Sequence, residues 1–290
     1  MNLLNRADQL RDARTPFVLA TVVRAERPTS AKAGDRALVL PDGTMEGFVG
    51  GTCAESTVRL QGLQLLATGE STLLRITPDD AEPDARPDAE GLLTVANPCL
   101  SGGTLEIFLE AMIPAPLVFV FGEAPVARAM VDVVRSVGWD ARQAVDLDSP
   151  VPLDADAVVV ASHGRDELEI LAAAVKARTP YIALVASRKR AAAVLAELDR
   201  PDAVVHAPAG LDIGARTPHE IALSVVAEII FVRPRQTAPA AVATTAKDPV
   251  CNMDVAVVPG ALHYQHEVTV YYFCGSGCRS AFADDPARYL

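Results

Sequence analysis

Apolar and polar positions along the N-terminal third fall into short blocks. In residues 1–15, Leu3, Leu4, Ala7 and Leu10 share one side of an amphipathic helix. Residues 17–23 read as a strand, and residues 24–34 (RAERPTSAKAG) as a polar loop. Residues 36–40 and 45–49 flank Pro41-Asp42-Gly43, a turn sequence, so the pair predicts a hairpin. Gly50-Gly51-Thr52-Cys53-Ala54-Glu55 then opens a helix through Leu66. Strands are expected at 70–76, 92–96 and 105–109. Between the first two, residues 77–90 are acidic and proline-rich, an exposed loop. Between the last two lies Asn97-Pro98-Cys99-Leu100-Ser101-Gly102-Gly103-Thr104, a second glycine turn carrying a cysteine.

Beyond Pro114-Ala115-Pro116 the pattern changes. Residues 117–121 (LVFVF) are a continuous apolar run, as in a parallel strand buried on both faces. Gly122 ends the strand, Pro125 suits a first helical turn, and Val126, Met130, Val133, Val134 and Val137 recur at helical spacing. Gly138 closes that helix, and a second strand ends at Val145-Asp146. Strand, turn, helix and strand form the first half of a Rossmann-type unit, with an acidic residue where a ribose is contacted. The turn reads Gly122-Glu123-Ala124-Pro125-Val126-Ala127. Ala124 stands where the fingerprint has the glycine that admits a pyrophosphate, and Glu123 puts a negative charge beside the anion site. A Rossmann scaffold without a dinucleotide and an NAD(P)-dependent oxidoreductase are both compatible with this turn.

Further strands are expected at 157–161, ending in Ser162-His163-Gly164-Arg165, and at 181–185, ending in Ala186-Ser187-Arg188-Lys189-Arg190. Helices follow at 166–176 and up to Leu198, and a short fifth strand at 203–206. Thr217-Pro218-His219-Glu220 is a capping box for a helix over 221–231, with His219 exposed beside it. Ligands of open parallel sheets sit beyond the carboxyl ends of the strands. Gly122, Ser162, His163, Ser187 and Arg188 occupy such ends, and the basic cluster 188–190 suits an anionic, phosphate-bearing ligand or a solvated face.

Composition narrows the function classes. The chain has 290 residues, half of them apolar, enough for two domains or three small ones. A formal net charge of −11 argues against a nucleic-acid-binding face. The start, MNLLNRADQLRDARTPF, has no apolar signal core, and no apolar run is long enough to span a bilayer, so a cytoplasmic protein is expected. Five cysteines in a long chain do not suggest a disulfide framework. Cys53 sits where a helix dipole lowers a thiol pKa, or is a small buried residue in a tight turn. Together the Cys53 and Cys99 loops suggest a thiol-lined pocket rich in backbone donors.

Residues 233–246 are rich in Pro, Ala and Thr without periodicity, a linker. Residues 247–290 then read as a separate module in which Tyr264, Tyr271, Tyr272, Phe273, Phe282 and Tyr289 are concentrated. It holds Cys251 and Cys274-Gly275-Ser276-Gly277-Cys278. A module this small has little core, so a metal clip is one way to hold it, and thiols suit zinc or another thiophilic ion. Aromatic packing alone is the other.

The pieces GFVGGTCAES, NPCLSGGTLEIFLE, GEAPVARAM, VASRKR and HAPAGLDIGARTPHEIALSVVAEI resemble the XdhC/CoxI accessory proteins of molybdenum hydroxylases. That resemblance covers residues 15–235. It implies a chaperone without turnover of its own, which binds molybdenum cofactor (molybdopterin or its dinucleotide form), protects it during sulfuration and hands it to an apo molybdenum hydroxylase. A cysteine desulfurase and a second copy of the chain are further implied partners. The first loop of that family is usually a glycine run before cysteine, and the second Cys-Gly-Gly. Here Thr52 interrupts the first, and Leu100-Ser101 separates Cys99 from its glycines, a form closer to the carbon monoxide dehydrogenase branch. By this match the cofactor-binding candidates are Gly50, Gly51, Cys53, Glu55, Cys99, Gly102, Gly103, Gly122, Ala124, Ser162, His163, Ser187 and Arg188. DPVCNMDV, YYFCGSGC and FADDPARYL resemble the YHS domain, similar to treble-clef modules, which makes Cys251, Cys274 and Cys278 candidate ligands for zinc or copper.

The expected architecture is α/β. It comprises an N-terminal α+β domain (1–113), a Rossmann-like parallel-sheet domain (114–235), a linker (236–246) and a treble-clef-like YHS module (247–290). The leading function is a molybdenum-cofactor chaperone for a xanthine dehydrogenase or carbon monoxide dehydrogenase type of enzyme. The alternatives are an NAD(P)-binding oxidoreductase and a metal-binding adaptor acting through the C-terminal module.

Overall fold

The computed structural model describes residues 2–78, 91–97, 103–198, 200, 202–233 and 244–290. They belong to two compact units, Met1–Pro114 with Gln236–Leu290, and Ala115–Arg235.

The first unit opens with α1 (Leu3–Asp12), capped by the Asn2 side chain. Ala7 and Leu10 are buried against Phe17 and Leu38, with Leu3 packed at the margin. Leu4, expected from the sequence in the same stripe, is exposed, because the inward stripe runs through positions 3, 7 and 10. The predicted hairpin forms from β2 (Arg36–Val39) and β3 (Met45–Gly47), and β2 also pairs with β1 (Phe17–Ala25). The helix α2 (Thr52–Thr68) follows, then β4 (Thr72–Pro78), β5 (Leu92–Asn97) and β6 (Leu105–Met112). The sheet order is β3-β2-β1-β6-β4-β5, and only the β4–β5 pair is parallel. Ala54, Val58, Leu60 and Leu63 of α2 pack on Val18, Ala20, Val39, Leu74, Ile107 and Leu109 of the sheet.

The second unit contains β7 (Leu117–Phe121), α3 (Pro125–Ser136), β8 (Asp140–Ala144), β9 (Ala157–Val160), α4 (Glu167–Lys176), β10 (Tyr181–Leu184), α5 (Arg188–Leu198) and α6 (Pro218–Val232). Its strands are parallel in the order β10-β9-β7-β8. One face buries Val118 and Val120 against Met130, Val134, Val225 and Ile229 of α3 and α6. The other buries Phe119 and Phe121 with Ile170, Leu171 and Leu184. Coverage on both faces explains why β7, β9 and β10 are apolar throughout. β8 (DARQA) is a half-exposed edge strand and ends at Ala144, so Val145 and Asp146 lie beyond it and are exposed. The fifth strand expected at 203–206 is reduced to a single bridge between Ala183 and His206. The capping box forms as expected, with Thr217 Oγ1 accepting from Glu220 N and Glu220 accepting from Thr217 N.

The C-terminal segment has β11 (Thr245–Lys247) paired with β12 (Asp254–Ala256), the hairpin β13 (His263–His266) and β14 (Thr269–Tyr272), and α7 (Ser276–Asp284). β11 begins inside the stretch expected as linker, and the part of that stretch at 236–243 lies outside the described residues. The segment is not free-standing within the chain. Ala256 is buried in the same core as Val18 and Val58, and Val258 packs against it. Around the fully buried Phe282 gather Tyr264, His266, Tyr271, Phe273 and Tyr289. Among the described residues, no helix is long and apolar enough to cross a membrane.

Candidate functional site

Residues 248–253 form a tight knuckle. Asp248 N donates to Met253 O (2.9 Å), Asn252 N donates to Asp248 O (2.8 Å), and Asn252 takes a positive φ of 63°. The Asp248 carboxylate is fully buried and accepts from Val250 N (2.9 Å) and from Cys274 N (2.8 Å). One carboxylate therefore fixes the knuckle that carries Cys251 to the chain that carries Cys274. Cys274 leaves β14, Gly275 caps α7, and Cys278 sits in the first helical turn. The Cys251 and Cys274 sulfurs lie 3.5 Å apart, and those of Cys274 and Cys278 3.7 Å apart. With a carboxylate oxygen of Asp248, donor atoms of all four residues lie within 4.8 Å of one another.

The thiols share their protons unequally. The hydrogen bond from Cys274 lowers the Cys251 pKa, against the effect of burial. The interactions with Cys251 and then Cys53, followed by burial, push the Cys274 pKa up. Burial, followed by the charges of Asp248 and Cys251, pushes Cys278 up to about 12. Of the three thiols, Cys251 is thus the one whose ionisation the neighbouring thiols favour. Three thiols at this spacing form a soft donor set for zinc or copper(I).

The sequence groups Cys53 with Cys99, and Cys99 and Gly102 lie outside the described residues. The fold brings Cys53 to the C-terminal cysteines, packed half-buried on Met253, Val255 and Cys274. Gly51 is the N-cap of α2, and Glu55 N donates to its carbonyl (3.0 Å). Glu55 is half-buried and Gly50 buried. A Cβ on Gly50 would lie 3.2 Å from Leu105, and one on Gly103 would strike Pro28 O. The exit of the second glycine turn therefore closes on the chain at 26–28, while the first packs on Leu105 and Ala54. A cleft of about 360 Å³ runs between α2, the end of β5 and the knuckle, lined by Thr57, Gln61, Ala96, Lys247, Cys251 and Asn252 among others.

In the second unit β8 and β9 flank β7, which puts the topological switch point between the carboxyl ends of β7 and β9. Gly122 is required there by packing: at φ 121° its Cβ would strike Ala161 O. Its carbonyl accepts from Gln143 Nε2 (2.8 Å) and its N–H donates to Ala144 O (2.8 Å). Ala124 is buried and caps α3 without a side-chain hydrogen bond. Across the switch point Arg165 Nη2 donates to Glu123 Oε1 (3.1 Å). Ser162 Oγ donates to Arg165 O (2.6 Å), while His163 is exposed at φ 55°. Arg190 pairs with buried Glu167, which also accepts from Gly164 N (2.9 Å). Of the basic cluster, Arg190 is thus committed to the fold, and Arg188 and Lys189 remain at the surface. Ser187 Oγ accepts from Arg190 N (3.4 Å). Sequence reasoning misses Arg165, Glu167 and Asp248. Only Asp248 carries a local signal, its place three residues before Cys251.

The second unit is a parallel sheet of the Rossmann kind with helices on both faces, and the first carries thiols beside a glycine turn. Residues 10–77 match the XdhC and CoxI family, and residues 118–229 match the XdhC Rossmann domain. These segments, one in each unit, place the chain in the XdhC/CoxI family. It is 24% identical over 267 residues to the molybdenum cofactor insertion chaperone PaoD of Escherichia coli, covering 76% of this chain and 84% of PaoD. It is 26% identical over 264 residues to the Escherichia coli protein YqeB, covering 80% of this chain and 46% of YqeB. It is 29% identical over 157 residues to a probable xanthine dehydrogenase subunit of Bacillus subtilis, covering 46% of this chain and 47% of that protein. The chain thus spans about half the length of these last two relatives.

Proposed function

We propose that the protein is a maturation factor for a molybdenum hydroxylase, holding molybdenum cofactor as cargo and passing it to the apoenzyme. The observation that carries this reading is the family match in both units, together with the likeness to PaoD along 84% of PaoD's length. The chain's chemistry agrees. An anionic pterin phosphate needs backbone donors and a cation, which the start of α2 at Gly51 and the surface residues Arg188 and Lys189 offer in their respective units. The switch-point crevice is poorly suited to a dinucleotide: Ala124 is buried there, and the Glu123–Arg165 pair lies across it.

In finer detail, the proposed client is of the xanthine dehydrogenase or carbon monoxide dehydrogenase type, in the cytoplasm, with a cysteine desulfurase supplying sulfur. The C-terminal segment, with its knuckle, hairpin and helix, supports a treble-clef-like YHS reading with zinc or copper at Cys251, Cys274 and Cys278. The glycine turns, Cys53, Glu55 and the strand-end residues Gly122, Ser162, His163, Ser187 and Arg188 are the proposed cargo contacts. Equilibrium binding of released cofactor and reconstitution of an apo-hydroxylase test the reading. The expected result is saturable binding and client activation. Tight NADH binding with no cofactor binding overturns it.

A further inference from the structure

We propose that Cys53 joins Cys251, Cys274 and Cys278 in a single four-thiolate site for one zinc ion, so that the N-terminal glycine turn and the C-terminal segment hold the same metal. The inference extends the three-cysteine reading above and rests on it.

Several features converge on this site. Cys53 packs on the cluster of Met253, Val255 and Cys274, as do Cys251 and Cys278, and the Cys274 sulfur lies in hydrogen-bond contact with those of Cys251 and Cys278. With Zn–S bonds of about 2.3 Å, sulfurs at the corners of a tetrahedron are about 3.8 Å apart. The observed separations of 3.5 and 3.7 Å are close to that edge. Three thiolates leave one vertex open, and two neighbours can fill it: Asp248, with an oxygen within 4.8 Å of the three sulfurs, and Cys53, packed on the same cluster. Asp248 is already engaged by Val250 N and Cys274 N, and its hard oxygen is a poorer match to a thiophilic ion. Asp248 is therefore a positioning residue and Cys53 the ligand.

The site is also electrostatically prepared for anionic sulfur. Cys53 lies in the first turn of α2 and Cys278 in the first turn of α7. Neither helix has a side-chain cap, because Gly51 and Gly275 are the N-caps. The two N-termini abut: a Cβ on Gly275 would lie 3.3 Å from the Thr52 Cβ. Two positive helix ends thus meet at the thiols, an arrangement that favours thiolate. On metal binding the sulfurs become thiolates and their protons pass to solvent. A fourth thiolate shifts the preference from copper(I), which accepts low coordination, to tetrahedral zinc. It also withdraws Cys53 from any role as a free thiol while metal is bound.

The reduced, metal-free full chain is titrated with Co²⁺ and then Zn²⁺, alongside Cys53→Ser and Asp248→Asn. The expected result is one ion per chain with thiolate-to-cobalt charge transfer typical of four sulfurs. Cys53→Ser should lose about a quarter of that intensity and bind zinc roughly tenfold or more weakly. Asp248→Asn should keep the full intensity. A second measurement needs no variant: zinc should protect Cys53 of the wild-type chain from iodoacetamide, read by peptide mass spectrometry. If Cys53→Ser matches wild type in spectrum and affinity and zinc gives no protection, Cys53 is not a ligand, although the three-cysteine site stands. If Asp248→Asn changes the spectrum and Cys53→Ser does not, Asp248 is the fourth ligand and the proposal fails. A wild-type chain that takes up neither ion removes the three-cysteine reading as well.

Discussion

Gly275 sits against Thr52: a Cβ on Gly275 would lie 3.3 Å from the Thr52 Cβ and 3.5 Å from its Oγ1. These residues are the N-cap of α7 and the first residue of α2. Their contact lets two helix starts come together at the cysteine cluster, which makes it a structural condition of the site.

This contact predicts a coupling. Gly275→Ala should destabilise the first unit by about 1 kcal/mol through overpacking. Thr52→Gly removes the atoms it strikes. In a urea-unfolding double-mutant cycle, the pair should be more stable than the sum of the single effects by more than about 0.5 kcal/mol. Additive behaviour would show that the two helix starts are not pressed together.

At Gly122 the constraint is harder, because the obstructing atom is a backbone oxygen and φ is 121°. Gly122→Ala should cost roughly 2 kcal/mol or more, from strain and from displaced chain after β9. Trp139, the single tryptophan, packs against the core of this unit and reports its unfolding by fluorescence. An unchanged transition midpoint would mean that the β7 and β9 exits separate easily.

How much of the fold is legible in sequence depends on range. The hairpin at Asp42-Gly43, the apolar strand β7 and the Thr217 cap are set by adjacent residues, and the structure has all three. β8 is shorter than the sequence suggests: Val145 is apolar, but an edge strand of mixed polarity ends where its pairing with β7 ends, at Ala144. The grouping of Cys53 with Cys251, Cys274 and Cys278 joins residues far apart in the chain. No periodicity encodes it: it arises because Ala256 and Val258 belong to the core beneath α2. The aromatic concentration in 264–289 is visible in sequence, but not that the segment also shares a core with the N-terminal domain.

Glu228 gives a pH prediction. It accepts from Tyr181 Oη (2.6 Å) and Gly210 N (2.8 Å), and lies 3.0 Å from His206 Nδ1. Burial raises its pKa, but the bonds from Tyr181, Gly210 and His206 together outweigh that and hold it below the ordinary 4.5. A carboxylate with a depressed folded pKa stabilises the fold above its unfolded pKa, and that contribution is lost as pH falls through the folded value. Glu228→Gln should cost roughly 1–3 kcal/mol at neutral pH. The gap to wild type should be constant above about pH 5 and narrow below it, followed by Trp139 fluorescence. A gap independent of pH down to acid unfolding would show that the ionised carboxylate contributes nothing.

Metal loading should act on one unit only. A ligand that binds the folded state alone stabilises it by about 2.7 kcal/mol when present at about 100 times its dissociation constant. For a unit the size of the first, this corresponds to a rise in Tm of roughly 5–11 °C. The four cysteines and both helix starts lie in that unit, whereas Trp139 lies in the other. Zinc should therefore raise the transition seen by near-ultraviolet circular dichroism of the tyrosines around Phe282. The tryptophan fluorescence transition should stay in place, and a chelator should reverse the shift. Zinc should also slow amide exchange at the start of α2 as well as α7, because Cys53 brings α2 into the site. Cys53→Ser should keep protection at α7 and lose it at α2. Equal zinc protection of α2 in wild type and Cys53→Ser would mean that the helix is held by packing alone, with the metal confined to the C-terminal segment.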